Sequence, residues 1–156
     1  MEYILAVDLQ PEFVKDREGK KIYDKCLDFL KREGSFYTVI APVYQNKTNP
    51  NMGRLLNWRE MREITPIEFS PDFAVIHSGY SIKEYPTFAR DDIIHVIGFD
   101  TDACVLSACF DLFNLGACFD IWTDMCWSSG GKKLHEAGLT IMRRQFGAAV
   151  SQSTRR

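Results

Sequence analysis

No stretch of this 156-residue chain approaches the ~20 consecutive apolar residues that span a bilayer. The opening MEYILAVDLQ lacks the basic region and long apolar run of an export signal. No membrane partner is expected, and the cytoplasm is the expected location. Neither sign of charge dominates: 19 Lys and Arg against 21 Asp and Glu leave a net charge of −2, with the basic residues scattered. That removes nucleic acid from the expected partners. The five cysteines, Cys26, Cys104, Cys109, Cys118 and Cys126, are an odd set without a C-x-x-C pair, which predicts free thiols rather than a disulfide framework. The three histidines, His77, His95 and His135, show no H-x-H, D-x-H or H-E-x-x-H spacing, so no metal site is expected. Repeats, low-complexity tracts and linkers are also missing, leaving one domain over 1–156.

What is present alternates short apolar runs with helix-like stretches. YILAV (3–7), FYTVIAPV (36–43), FAVIH (73–77), DDIIHVIGF (91–99) and CFDIW (118–122) read as strands, with AAVSQ (148–152) as a last edge strand. Helices are predicted over 17–33, with Ile22, Cys26, Phe29 and Leu30 on one face and Gly34 as a stop, and over 102–114, with Thr101 or Asp102 as N-cap and Gly116 as a stop. A third covers 132–146, with Leu134, Ala137, Ile141 and Met142 inward. QNKTNPNMG (45–53) is turn-rich and RLLNWREM (54–61) reads as a short helix; the segment 45–70 either covers a pocket or joins a subunit interface. Apolar strands without strict alternation, separated by helices, predict a parallel sheet covered on both faces: a three-layer, doubly wound α/β fold. Strand order is not readable from one sequence.

Parallel sheets bind ligands at the carboxyl ends of their strands. Asp8, His77 and Cys104 each sit just past the end of an apolar run, so three distant residues are predicted to meet on one rim. Cys104 falls in the first turn of a predicted helix, where unpaired N–H groups and the helix dipole favour the attacking thiolate and a developing oxyanion. Asp8 can take the thiol proton and return it to a leaving group, and His77 can orient or stabilise charge. Each also has a plain structural reading: Cys104 as a small core residue, Asp8 as an acceptor for loop N–H groups, His77 as a locally bonded strand end. Cys26, Cys109, Cys118 and Cys126 read as packing residues. A redox pair of Cys104 and Cys109 is the weaker idea, since residues five apart on a helix point in different directions.

These residues stand in recognisable motifs. VDLQPEFV (7–14) resembles the opening V-D-x-Q-x-x-F of the isochorismatase-like, nicotinamidase-related cysteine hydrolases. VIGFDTDACVLSACFDLFNLG (96–116) resembles that family's G-x-x-T-x-x-C-V, apolar helix and glycine, and IWTDMCWSS (121–129) followed by His135 resembles its later strand, D-x-x-S turn and last helix. The resemblance runs through nearly the whole chain in order. It implies a six-stranded parallel sheet, a homo-oligomer (dimer or tetramer) and an Asp–Lys–Cys triad acting on a carbonyl. Asp8 matches the aspartate and Cys104 the cysteine. A non-proline cis peptide is implied between Phe99 and Asp100, with the Asp100 and Cys104 N–H groups as oxyanion donors.

The lysine is the departure. The family carries it before a Y-S or F-S pair, and HSGYS (77–81) has His77 there. His77 replaces the lysine, Lys83 reaches in from the loop, or catalysis is lost. The D-x-H and further histidine of metal-dependent nicotinamidases are missing from APVYQNKTNPN (41–51), which argues against nicotinamidase. Phe13, Tyr44, Tyr80 and Trp127 either line a small apolar pocket or pack at the rim. The function implied is hydrolysis of a carbon–nitrogen bond in a small amide or carbamoyl compound without a cofactor. The alternative is an inactive relative that binds a small molecule or serves as an oligomeric partner protein.

Overall fold

Glu2–Val7 forms the central strand β1, and its alternation divides the interior in two. Tyr3, Leu5 and Val7 point into one core and Ile4 and Ala6 into the other. The computed structural model describes residues 1–47, 49–58 and 66–153. Helix α1 (Arg17–Glu33) is opened by Asp16, whose carboxylate accepts from the Gly19 N–H, and it leads to β2 (Thr38–Tyr44). Then come α2 (Pro50–Leu56), β3 (Phe73–His77), β4 (Ile93–Phe99), α3 (Cys104–Asn114), β5 (Cys118–Trp127), α4 (Lys132–Phe146) and β6 (Val150–Ser151). Single 3₁₀ turns occupy Pro11–Phe13, Gly34–Phe36 and Gly147–Ala149.

The six strands are all parallel, in the order β3-β2-β1-β4-β5-β6. Tyr23, Cys26, Phe29 and Leu30 of α1 cover one face with Trp122; Val105, Ala108, Cys109 and Leu112 of α3 cover the other with Leu139 and Met142 of α4. This is the doubly wound three-layer α/β architecture. The chain leaves β1 in one direction for β2 and returns on the other side as β4, so β1 and β4 flank the point where strand order reverses. Open α/β sheets bind ligands there.

Several expectations need correction. The 102–114 helix begins later, at Cys104, with Ala103 as N-cap and no side-chain cap. The Thr101 and Asp102 side chains are used elsewhere, on His135 and Ser128. In α4, Leu134, Ala137 and Ile141 are exposed, whereas His135, Gly138, Leu139 and Met142 face inward. The reason is steric: a Cβ on Gly138 would lie 2.8 Å from the Thr101 carbonyl, so Gly138 must face the 100–102 turn, and its helical neighbours follow. The β3 run is apolar but not covered on both faces, since Phe73 and Ile76 are exposed on an edge strand. The short helix between β2 and β3 starts earlier than expected, at Pro50, with Asn49 as its cap; residues 59–61 of the expected 54–61 helix lie outside the described residues. Strand β5 runs five residues past the expected 122, its pairing with β4 shifted in register between Val96 and Gly98.

Candidate active site

Three strand ends deliver three reactive side chains to one buried point. Asp8 follows β1, His77 closes β3, and Cys104 starts the helix after β4; their ligating atoms all lie within 4.8 Å of one another. Asp8 adopts a left-handed backbone (φ 45°), a region that aspartate tolerates better than most residues, and its N–H bonds the Pro42 carbonyl at 3.0 Å. Its side chain is fully buried. The Phe99–Asp100 peptide that precedes Cys104 is cis.

His77 holds the cluster together. Its Nδ1 lies 2.9 Å from the Gly79 carbonyl and its Nε2 lies 2.6 Å from Asp8 Oδ1. A carbonyl only accepts, so Nδ1 carries a proton and donates it. The short contact on the other side then contains one proton shared between imidazole and carboxyl. Burial drives the Asp8 carboxyl above its usual range, although the His77 hydrogen bond and charge pull against it. Burial pushes His77 down, but its bonds to Asp8 and Gly79 outweigh that and raise it overall. The second Asp8 oxygen, Oδ2, has no hydrogen-bond partner among the described residues. The Asp8 carboxyl also interacts with the Cys104 thiol, whose Sγ lies 3.9 Å from the Gly79 carbonyl.

Cys104 differs from the expected preformed thiolate. Burial first, then the Asp8 carboxyl and, by smaller amounts, Asp100 and Asp102, raise its pKa well above that of an ordinary thiol. A helix terminus offers about half a unit charge, too little against desolvation and nearby carboxylates. The resting group is therefore the thiol.

Of the aromatic candidates, Phe13 and Tyr44 meet edge to face at 5.9 Å, and Tyr44 meets His77 the same way at 5.7 Å. Trp58 packs on Tyr44 at 5.8 Å, so the segment after β2 reaches the site. The Tyr44 hydroxyl is buried without a hydrogen-bond partner among the described residues, and burial, with Cys104, Asp8 and Tyr80 nearby, pushes it up to about 12. Tyr80 lines an open cleft of about 680 Å³ together with His77 and Lys83. The cleft runs along β3 and reaches the triad at His77, and the position beside Asp8 is held by His77, with Lys83 exposed. Trp127 packs on His135 at 4.5 Å and its indole N–H donates to Asp16 at 3.1 Å.

Two side chains, those of Gln10 and Asp100, shape the site without having been assigned a role from sequence, where only the Asp100 backbone N–H was named. Buried Gln10 clamps Tyr44 from both sides, its Nε2 donating to the Tyr44 carbonyl at 3.1 Å and its Oε1 accepting the Tyr44 N–H at 2.8 Å. Asp100 accepts from the Ser129 N–H and hydroxyl, each at 2.7 Å, and burial pushes its carboxyl up to about 6. Both belong to the motifs VDLQ and GFDTDAC, which was the available signal.

No protein-family model matches the chain, and no curated protein matches it in sequence. Solved structures do. An isochorismatase-like hydrolase from Alkaliphilus metalliredigens superposes with a TM-score of 0.72 at 18% identity, over 92% of this chain and 91% of that one. The fold is that of the isochorismatase-like hydrolases. N-carbamoylsarcosine amidase from Thermoplasma acidophilum shares the isochorismatase-like fold with a TM-score of 0.74 at 15% identity, covering 99% of this chain and 98% of that one. The pyrazinamidase/nicotinamidase of Streptococcus mutans does so at 0.72 and 14% identity, over 97% and 100%. Among the described residues, no helix is long and apolar enough to cross a membrane.

Proposed function

We propose that this chain is an isochorismatase-like cysteine hydrolase that cleaves a carbon–nitrogen bond in a small amide or carbamoyl compound. The observation that carries the reading is the meeting of the Asp8, His77 and Cys104 side chains within 4.8 Å at the strand-order reversal. Structural similarity to N-carbamoylsarcosine amidase and to amidases of nicotinamide type supports the choice of bond.

The thiol rests protonated, so attack and proton transfer are coupled. Cys104 Sγ adds to the substrate carbonyl while its proton passes to the carboxyl of Asp8, whose unpartnered oxygen is free to receive it. His77, protonated against Asp8, supplies the positive charge that the family draws from lysine. The Asp100 and Cys104 N–H groups are assigned to the oxyanion. Collapse of the tetrahedral adduct breaks the C–N bond, and Asp8 returns the proton to the departing nitrogen. Water, deprotonated by Asp8, then hydrolyses the thioester and restores the thiol. Phe13, Tyr44, Tyr80 and Trp127 are the assigned substrate contacts. A cytoplasmic dimer or tetramer belongs to the same reading, and light scattering on the purified chain tests the assembly.

A small-molecule binder without catalysis is the second reading, favoured by the raised Cys104 pKa. Ammonia release from a panel of small primary amides and N-carbamoyl compounds, with acid-quenched intact-mass analysis, separates the two. The expected result is turnover of at least one compound, with an acyl adduct on Cys104 and at least a roughly 1,000-fold loss in Cys104→Ala, the scale of losing a covalent nucleophile. Turnover that survives Cys104→Ala, or substrates that bind without turnover, would overturn the hydrolase reading.

A further inference from the structure

We propose that Asp8, His77 and Cys104 also form a binding site for one zinc-class divalent cation, whose occupancy masks the thiol. The proposal rests on the geometry of the three side chains and not on the hydrolase reading. A carboxylate, an imidazole and a thiol from three separate strand ends have their ligating atoms within 4.8 Å of one another. Tetrahedral zinc, with bonds of about 2.0–2.3 Å, sets its ligand atoms roughly 3.3–3.8 Å apart. The His77–Asp8 contact of 2.6 Å must therefore widen and the sulfur close in, each by about 1 Å, on the scale of side-chain rotation.

His77 is already held as a metal-bound imidazole is held. Its Nδ1–H donates to the Gly79 carbonyl at 2.9 Å, which fixes the ring and leaves Nε2 as the inward nitrogen. Asp8 supplies the independent observation: its side chain is 0% exposed and, among the described residues, its Oδ2 has no hydrogen-bond partner, its carboxyl facing only the prospective ligands His77 and Cys104 among side chains. A buried carboxyl oxygen in that state is costly, and a cation satisfies it. An ammonium at position 77 would repel a second cation, whereas histidine offers a lone pair. The substitution that separates this chain from the lysine-bearing pattern thus converts a charge-stabilising position into a ligand.

Charge and protons balance. The cation enters, the Cys104 thiol proton and the proton shared by Asp8 and His77 leave to solvent, and thiolate, carboxylate and neutral imidazole bind. Two negative ligands meet a double positive charge, and nothing is oxidised or reduced. Sulfur and nitrogen ligands select Zn²⁺ over Mg²⁺ or Ca²⁺. Three protein ligands leave a fourth position for solvent.

Titration of the chelator-stripped full chain with Co²⁺, read by absorption, tests this. The expected result is one equivalent bound, with a thiolate-to-cobalt charge-transfer band and four-coordinate visible bands, displaced by Zn²⁺ and not by Mg²⁺. Cys104→Ser should lose the charge-transfer band. His77→Lys, which keeps the thiol, should weaken binding at least roughly 100-fold, and Cys118→Ser, at an exposed cysteine that opens β5 at the other end of the parallel sheet from the triad, should bind as the parent does. Far-UV circular dichroism of each variant establishes folding. No charge-transfer band in the parent, a band that persists in Cys104→Ser, or undiminished binding in folded His77→Lys overturns the proposal. The readout needs no substrate, so failure of the hydrolase reading leaves it intact and distinguishable.

Discussion

At the scale of single residues, the proposed chemistry turns on one histidine. His77 bonds Asp8 through Nε2 and Gly79 through Nδ1, so the cation available to the thiol titrates, whereas lysine in that place would stay charged. As pH rises through the raised His77 pKa, the imidazolium is lost and the thiol becomes harder to ionise. The His77→Lys variant separates the two cases. Alkylation of Cys104 by iodoacetamide, located by peptide mass spectrometry between about pH 6 and 9, should run at similar rates in parent and variant at the acid end. The variant should gain about 10-fold by the alkaline end, the effect of one nearby charge on a thiol. A ratio that stays flat across that range would show that His77 does not set the thiol's electrostatics. The position of Cys104 past an apolar run was legible in the sequence. Its protonation state was not, because the helix start is local, whereas burial and the approach of the Asp8, Asp100 and Asp102 carboxyls arise from tertiary structure.

Elements were legible wherever periodicity and stop signals agreed. Helix α1 at 17–33, helix α4 at 132–146 and strand β3 at 73–77 stand at the bounds read from sequence. Faces were harder. In α4, the apolar side chains Leu134 and Ile141 suggested the inner stripe, but Gly138 decides it through backbone contact, and a glycine carries no hydrophobic signal. Glycine matters equally between β1 and β4. Gly98 has φ +120°, and a Cβ there would lie 2.0 Å from the Val7 carbonyl oxygen, directly before Asp8. Gly116, at φ +69° after α3, has nothing among the described residues within 4 Å of such a Cβ. The two are expected to separate cleanly in urea denaturation. Gly116→Ala should cost about 1 kcal/mol, the conformational cost alone. Gly98→Ala must also push β1 from β4, so it should cost more than about 3 kcal/mol and disturb Asp8 with it. Equal losses would mean that the β1–β4 contact yields easily.

For the whole molecule, the strand order that the sequence left open sets the site: doubling back at β1 gathers Asp8, Asp100 and Cys104 on one rim, with buried carboxyls and no lysine or arginine in the triad. That concentration has a thermodynamic consequence. Asp100 is raised from an ordinary carboxyl value of 3.8 to about 6 by burial, with the Ser129 bonds opposing and Asp102 and Asp8 adding to the rise. Between those values the folded chain holds a proton that the unfolded chain has lost, so this group's contribution makes stability fall as pH rises from about 4 to about 6. Asp8 and His77, both raised, act with the same sign, His77 at higher pH. His135, lowered by burial, acts oppositely and costs stability as pH drops below its ordinary 6.5. Asp100→Asn isolates the first contribution, since the amide keeps an acceptor for the Ser129 N–H and cannot ionise. The stability of the Asp100→Asn variant relative to the parent should grow from about pH 4 to 7 by up to roughly 3 kcal/mol, the worth of a shift of that size. Urea denaturation of both proteins across that range measures it. A difference that stays constant with pH would mean the Asp100 carboxylate is solvated as well in the folded chain as in the unfolded one, and that the acidic rim costs the fold nothing.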